Sequence, residues 1–191
     1  MLCIFDLDGT IIRSYMERAD RDFAAVELLP GRRERIAALV AEGHQVAAVS
    51  NQGGVAFGYN NEDDVRSKLQ AVGAALGFPS VTIGAWHCVL HEWSTQCQVP
   101  ITQRTLPIFV CYSDPRTKNA HYNQPADCAR RKPGGAMIRE AIEDAQIDYY
   151  NAETDEFADV PALFIGDRPE DEAAARDAGV PFDWANRFFG E

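Results

Sequence analysis

Asp6 and Asp8 stand two apart where the apolar run 2–7 gives way to Gly9 and Thr10. A carboxylate placed there can attack phosphorus and form an acyl-phosphate. A second one beside it can protonate the leaving oxygen and later activate water. Two neighbouring carboxylates repel, so the pair needs a cation. Asp167, at the end of another apolar run, makes a third oxygen ligand. Carboxylates, a carbonyl and waters suit Mg2+ better than zinc, and a metal so held bridges a nucleophile and a phosphate oxygen. The Ser50 hydroxyl and the backbone from Asn51 to Gly54 can donate to the remaining phosphate oxygens, with Gly53 and Gly54 permitting close approach. Lys132 adds a point charge for the transition state. Enzymes accelerate phosphate-monoester hydrolysis by up to about 10²¹-fold, so convergent charges rather than one contact are expected.

Each residue alone has a plainer reading. Asp and Gly favour turns, Ser50 could simply end a strand, and a lone lysine is usually solvated. Asp171 suits the first turn of a helix equally well. Chemistry is favoured by the joint placement of these residues.

That placement depends on the elements carrying them. Segments 2–7, 45–49 and 162–165 are apolar apart from Asp6 and Gln45, as strands buried on both faces are. Segments 81–90 and 106–112 also read as strands, and 180–184 as a last short one. Helical spacing predicts helices over 17–28, 32–41 and 61–76, the last capped by Asn60 or Asn61. Further helices are expected from Gly135 to about residue 145, and over 169–178 up to Gly179. Segment 113–130 is polar and loop-like. Strands alternating with helices predict an α/β fold with a doubly wound, mostly parallel, Rossmann-like sheet. One domain is expected over residues 1–191, with a modest insertion at about 80–130. Such sheets bind ligands beyond the carboxyl ends of their strands, where Asp6, Asp8, Ser50, Asn51 and Asp167 would converge.

The 191 residues carry a net charge of −11, which argues against broad attraction to nucleic acid or anionic membrane. Arg130, Arg131 and Lys132 could still form a local basic pocket. No apolar run is long enough to span a bilayer, and the first residues read as a strand rather than a signal peptide. Five cysteines without a secretory signal point to reduced thiols and a cytoplasmic protein. Cys3, Trp86, Trp93 and Trp184 read as core. The sequence sets no oligomeric state.

Phe5-Asp6-Leu7-Asp8-Gly9-Thr10, Ser50, Lys132 and Gly166-Asp167-Arg168-Pro169-Glu170-Asp171 resemble, in order, the four motifs of haloacid dehalogenase superfamily phosphatases. The resemblance implies Asp6 as nucleophile and Asp8 as acid/base. It also implies Mg2+ held by the Asp6 carboxylate, the Asp8 carbonyl and Asp167, with Asp171 supporting the metal shell. Ser50-Asn51-Gln52-Gly53-Gly54 resembles the subgroup with little or no cap, which includes heptose bisphosphate phosphatases, histidinol phosphatases and polynucleotide 3′-phosphatases. Arg131-Lys132-Pro133 resembles the segment in which the arginine helps hold substrate. A small phosphorylated metabolite such as a sugar phosphate is therefore the expected substrate, and a nucleic-acid 3′-phosphate the alternative. A rival of another class is a metal- or phosphate-binding module without turnover.

The heptose and histidinol enzymes usually carry a structural zinc. Only Cys111 and Cys128 occupy its ligand places here; Ser113 and Arg130 stand in the other two. His87, Cys88, His91, Cys97 and His121 are further candidate ligands, but their spacings match no close-paired zinc pattern.

Overall fold

The computed structural model describes residues 1–84, 105–147, 150–151, 156–157 and 159–191. Expectations for the 85–90 part of a strand and for Trp86, His87, Cys88, His91, Trp93 and Cys97 lie outside those residues.

In chain order the elements are β1 (Leu2–Asp6), α1 (Arg32–Ala41), β2 (Gln45–Asn51), α2 (Glu62–Leu76), β3 (Ser80–Gly84) and β4 (Thr105–Cys111). Then come α3 (Pro125–Arg130), α4 (Ala136–Ile147), the two-residue strands β5 (Tyr150–Asn151) and β6 (Glu156–Phe157), and β7 (Ala162–Gly166). The chain finishes with α5 (Pro169–Ala178), β8 (Phe182–Trp184) and α6 (Ala185–Phe189). Six strands form one sheet in the order β3-β4-β2-β1-β7-β8. Every pairing in it is parallel. β5 and β6 pair separately and antiparallel.

Alternation along the strands sorts the core into two layers. Cys3, Phe5, Val46 and Ala48 face Ile36 and Leu39 of α1 and Val65, Leu69 and Val72 of α2. Leu2, Ile4, Ala47 and Val49 face Met137, Ile138 and Ala141 of α4 and Ala174 and Ala175 of α5. Each large side chain so buried contributes about 1.5–3 kcal/mol. Neighbouring β1 and β7 therefore lead into helices on opposite faces, α1 and α5. Their carboxyl ends part and leave the crevice in which ligands of such sheets bind.

Most expected elements are present, with exceptions that have physical reasons. Segment 17–28 is not a helix: a short 3₁₀ turn at Tyr15–Glu17 leads into irregular chain. The Asp20 carboxylate accepts the Asp22 N–H at 3.1 Å, and Asp22 accepts the Ala24 N–H at 2.9 Å. Such local side-chain acceptors compete with helical bonds. Arg21 between them has φ 47°, outside the helical range. The expected loop 113–130 ends in α3, with Pro125 at its first turn. Short α6 was not expected; its Phe188 and Phe189 pack on Phe5 at 5.7 and 6.0 Å between ring centres. Among the described residues no separate cap stands over the sheet, and no helix is long and apolar enough to cross a membrane.

Candidate active site

β1 delivers Asp6, 5% exposed, to the crevice. The chain then turns sharply: the N–H groups of Ile11 and Ile12 donate to the Leu7 carbonyl at 2.9 and 3.0 Å. Gly9 in this turn has φ 100°, and a Cβ there would overlap the Asp167 carboxylate, so the position requires glycine. Thr10 Oγ1 donates to Asp167 Oδ1 at 3.1 Å. Buried Arg32, which opens α1, donates from Nε to the Thr10 carbonyl at 2.9 Å. The turn is thus anchored to both β7 and α1.

Lys132 comes from the loop between α3 and α4. Its ammonium, 3% exposed, donates to Asp6 and, at 2.6 Å, to Asp171 Oδ1. Asp171 is fully buried in the first turn of α5. Its other oxygen accepts the N–H groups of Asp167 and Arg168 at 3.2 and 3.0 Å. Asn51, at the end of β2, grips the Lys132 backbone with both ends of its side-chain amide.

One ammonium between two buried carboxylates leaves a negative charge unbalanced. Burial accordingly pushes the Asp6 carboxyl up to about 7, opposed by Lys132 and reinforced by Asp171 and Asp8. Burial works against the charge on Lys132 too, but Asp6 and Asp171 outweigh it and hold the ammonium protonated. Burial also raises Asp167. Asp6, Asp167 and Asp171 each bring an oxygen within 4.8 Å of the others. This is an oxygen-only donor set with charge to spare, of the kind hard divalent cations take.

Asp8 has a separate environment. Its Oδ1 accepts from Lys68 Nζ at 2.9 Å and its Oδ2 from Gln52 Nε2 at 3.0 Å. Gln52 Nε2 also donates to the buried Ser50 Oγ at 2.8 Å. The side chains of Asp6, Asp8, Ser50 and Lys132 line one small pocket with Asn51, Arg168 and Glu170.

The three consecutive basic residues diverge. Arg130 forms a paired bond with Glu140 at 2.7 and 2.6 Å and donates to the Val110 carbonyl, tying α3 to α4 and β4. Arg131 reaches the loop after β2, where its guanidinium would lie 2.9 Å from a Cβ placed on Gly53. It is held 3.3 Å from Asp114. Only Lys132 enters the carboxylate cluster.

The sequence places Asp6, Asp8, Ser50, Asn51, Lys132, Asp167 and Asp171 at these strand and helix ends, and the structure brings them together. Asn51 differs in manner: its side chain holds Lys132. Sequence reasoning missed Lys68, Asp114, Thr10 and Arg32. For Lys68 there was a signal, since it interrupts the buried stripe Val65, Leu69, Val72 and Leu76 of α2. Asp114 lies in a polar stretch that offers none.

Cys111 and Cys128 have other partners. The Cys111 thiol donates to the Asp127 carbonyl at 3.4 Å, and burial raises its pKa. Cys128 Sγ lies 4.0 Å from Asn123 Oδ1. His121 is exposed and packs edge-on to Tyr122.

Comparison with known proteins finds the family model described as polynucleotide kinase 3 phosphatase matching residues 1–186. The chain is 28% identical over 177 residues to D-glycero-beta-D-manno-heptose-1,7-bisphosphate 7-phosphatase of Haemophilus ducreyi, covering 92% of this chain and 76% of that protein. The enzyme of the same name from Pasteurella multocida is 25% identical over 178 residues, covering 92% and 75%. Among solved structures, D,D-heptose 1,7-bisphosphate phosphatase of B. bronchiseptica, complexed with magnesium and phosphate, superposes with a TM-score of 0.59 at 22% identity. That match covers 95% of this chain and 78% of the other.

Proposed function

The chain belongs to the polynucleotide kinase 3 phosphatase family of haloacid dehalogenase superfamily phosphatases, and from that premise we propose that it hydrolyses a sugar phosphate, with Mg2+, through phospho-Asp6. The single observation that carries this reading is the convergence of Asp6, Asp167 and Asp171 on one point, with Lys132 between two of them.

Asp6 is the nucleophile: its oxygen attacks phosphorus and the ester P–O bond breaks. Asp8 gives a proton to the leaving oxygen. In the second step Asp8 takes a proton from water, whose oxygen attacks phosphorus and frees the Asp6 carboxylate. Lys132 stabilises charge on the transferring group, and Ser50 donates to a phosphate oxygen. Arg131, at the edge beside Gly53, binds the substrate. Burial keeps these charges out of bulk water, so they interact more strongly with one another. Asp6, Asp167 and the Asp8 carbonyl would hold Mg2+, with Asp171 supporting them; when bound, the ion reduces repulsion between nucleophile and phosphate. The carboxylate oxygens fit this hard cation.

The curated relatives act on a heptose bisphosphate by name, which supports a small sugar phosphate. The family description favours a second reading, a nucleic-acid 3′-phosphate. So does an exposed stacked pair, Phe57 and Tyr59, 5.9 Å apart with Arg116 over Phe57, because bases stack on such surfaces. The net charge of −11 opposes it. Phosphate release from sugar phosphates, histidinol phosphate and 3′-phosphorylated oligonucleotides separates the two. A sugar phosphate is expected to be turned over fastest, and preference for the oligonucleotide would select the second reading.

A further inference from the structure

Lys68 is a buried cation in a position the fold would fill with an apolar side chain. It is 2% exposed, within the stripe by which α2 packs on the sheet. Burying an ammonium is costly unless it is paired. Among the described residues its one ion-pair partner is Asp8, 2.9 Å away. The ring of Phe23 covers the ammonium at 4.8 Å, and that of Tyr15 lies 6.0 Å from it. Both rings come from the stretch before α1, Tyr15 from its 3₁₀ turn and Phe23 from the irregular chain after it. Gln52 completes the arrangement, using one amide nitrogen for Asp8 Oδ2 and the Ser50 hydroxyl together.

We propose that Lys68 and Gln52 are positioning residues that hold the Asp8 carboxylate in the orientation its proton transfers require. The inference rests on the acid/base reading of Asp8. Aspartate has a short, rotatable side chain, and this one is 22% exposed. One donor from α2 and one from the loop after β2 reach different oxygens, so the carboxylate can neither swing to solvent nor rotate in place without losing a bond. Groups held by such supporting bonds keep the sub-ångström alignment that catalysis needs. Gln52 also keeps the Ser50 hydroxyl in register with Asp8.

The two chemical steps make this testable. With p-nitrophenyl phosphate and Mg2+, the first step breaks the P–O bond to a phenolate that leaves with its electron pair and needs no proton. The second step needs Asp8 to take a proton from water. Stopped-flow release of p-nitrophenol separates them as a burst and a steady state. Lys68→Met, which keeps the stripe apolar, is expected to retain the burst rate within about twofold and to lose about 10–100-fold in the steady state, as expected for a misplaced group. Lys68→Arg should recover part of the loss. Burst and steady state falling together, or a steady state within twofold of wild type in a folded protein, overturns the proposal. If Lys68→Met does not fold by circular dichroism, Gln52→Met carries the same expectation and the same overturning results. Asp8→Asn distinguishes the two levels of failure. If it alone shows the retained burst and slow steady state, the positioning role is wrong and the Asp8 reading stands. If it turns over like wild type, the acid/base reading itself is wrong.

Discussion

Asn51 holds Lys132 by both backbone atoms: Oδ1 accepts its N–H at 3.0 Å and Nδ2 donates to its carbonyl at 3.1 Å. The end of β2 thereby fixes a residue 81 positions later in the chain, and with it the ammonium between Asp6 and Asp171. Asn51→Ala removes both bonds. We expect a loss of about 1–3 kcal/mol in stability. Because catalysis tolerates little misplacement, we also expect a fall of about 10–100-fold in kcat. Thermal melting and steady-state kinetics check the two effects.

Arg130 and Arg131 are adjacent in sequence and opposite in expected consequence. Arg130 is paired with Glu140, both partners largely buried, at 18% and 11% side-chain exposure. Arg130→Ala should lower stability by about 1–3 kcal/mol, the cost of leaving buried partners unpaired, with little change in KM. Arg131→Ala should do the reverse and raise KM about tenfold, the effect of one lost charge-assisted contact, with a smaller change in melting temperature. Exchanged outcomes would mean that the substrate lies on the other side of the loop.

Gly9 and the Asp167 carboxylate occupy space that a Cβ would need, at a backbone φ of 100°. Gly9→Ala should therefore displace either the turn or Asp167. A strain of about 1–3 kcal/mol is expected, together with weaker Mg2+ binding in a titration followed by calorimetry.

Asp114 gives a pH dependence whose sign follows from its partners. Its buried carboxylate accepts from Arg116 at 2.6 and 2.8 Å and faces Arg131. Arg116 chiefly holds it down to about 2. The folded value lies below the unfolded one, so the stabilisation is complete above about pH 4. It disappears as pH falls through about 2. The stability gap between wild type and Asp114→Asn should be constant near neutrality and close over that acid range. Chemical denaturation at stepped pH measures it; a gap that widens on acidification contradicts the assignment.

What the sequence made legible follows from where its patterns are strong. The apolar runs of β1, β2 and β7 and the Pro169 and Gly179 limits of α5 have simple periods or breakers, and polar residues at their ends mark the crevice. Segment 17–28 failed because Asp20 and Asp22 accept backbone N–H groups two residues on, a local competition with the helix that apolar spacing does not encode. The residues supporting the site were hidden for a related reason. Arg32 looks like an ordinary helix charge until packing shows it to be buried, and Lys68 differs from one only in its place within the apolar stripe of α2. Asn51 was expected to bind substrate; in the structure its side-chain amide bonds the Lys132 backbone, a pairing across 81 positions that the sequence does not reveal.

The most direct test of the central claim is to quench the enzyme during turnover with Mg2+ and locate the phosphoryl group by mass spectrometry of its peptides. A phosphoryl group on Asp6, absent from Asp6→Asn and accumulating in Asp8→Asn, is the predicted result. Undiminished phosphate release by Asp6→Asn, or a label carried on another residue, would contradict the account.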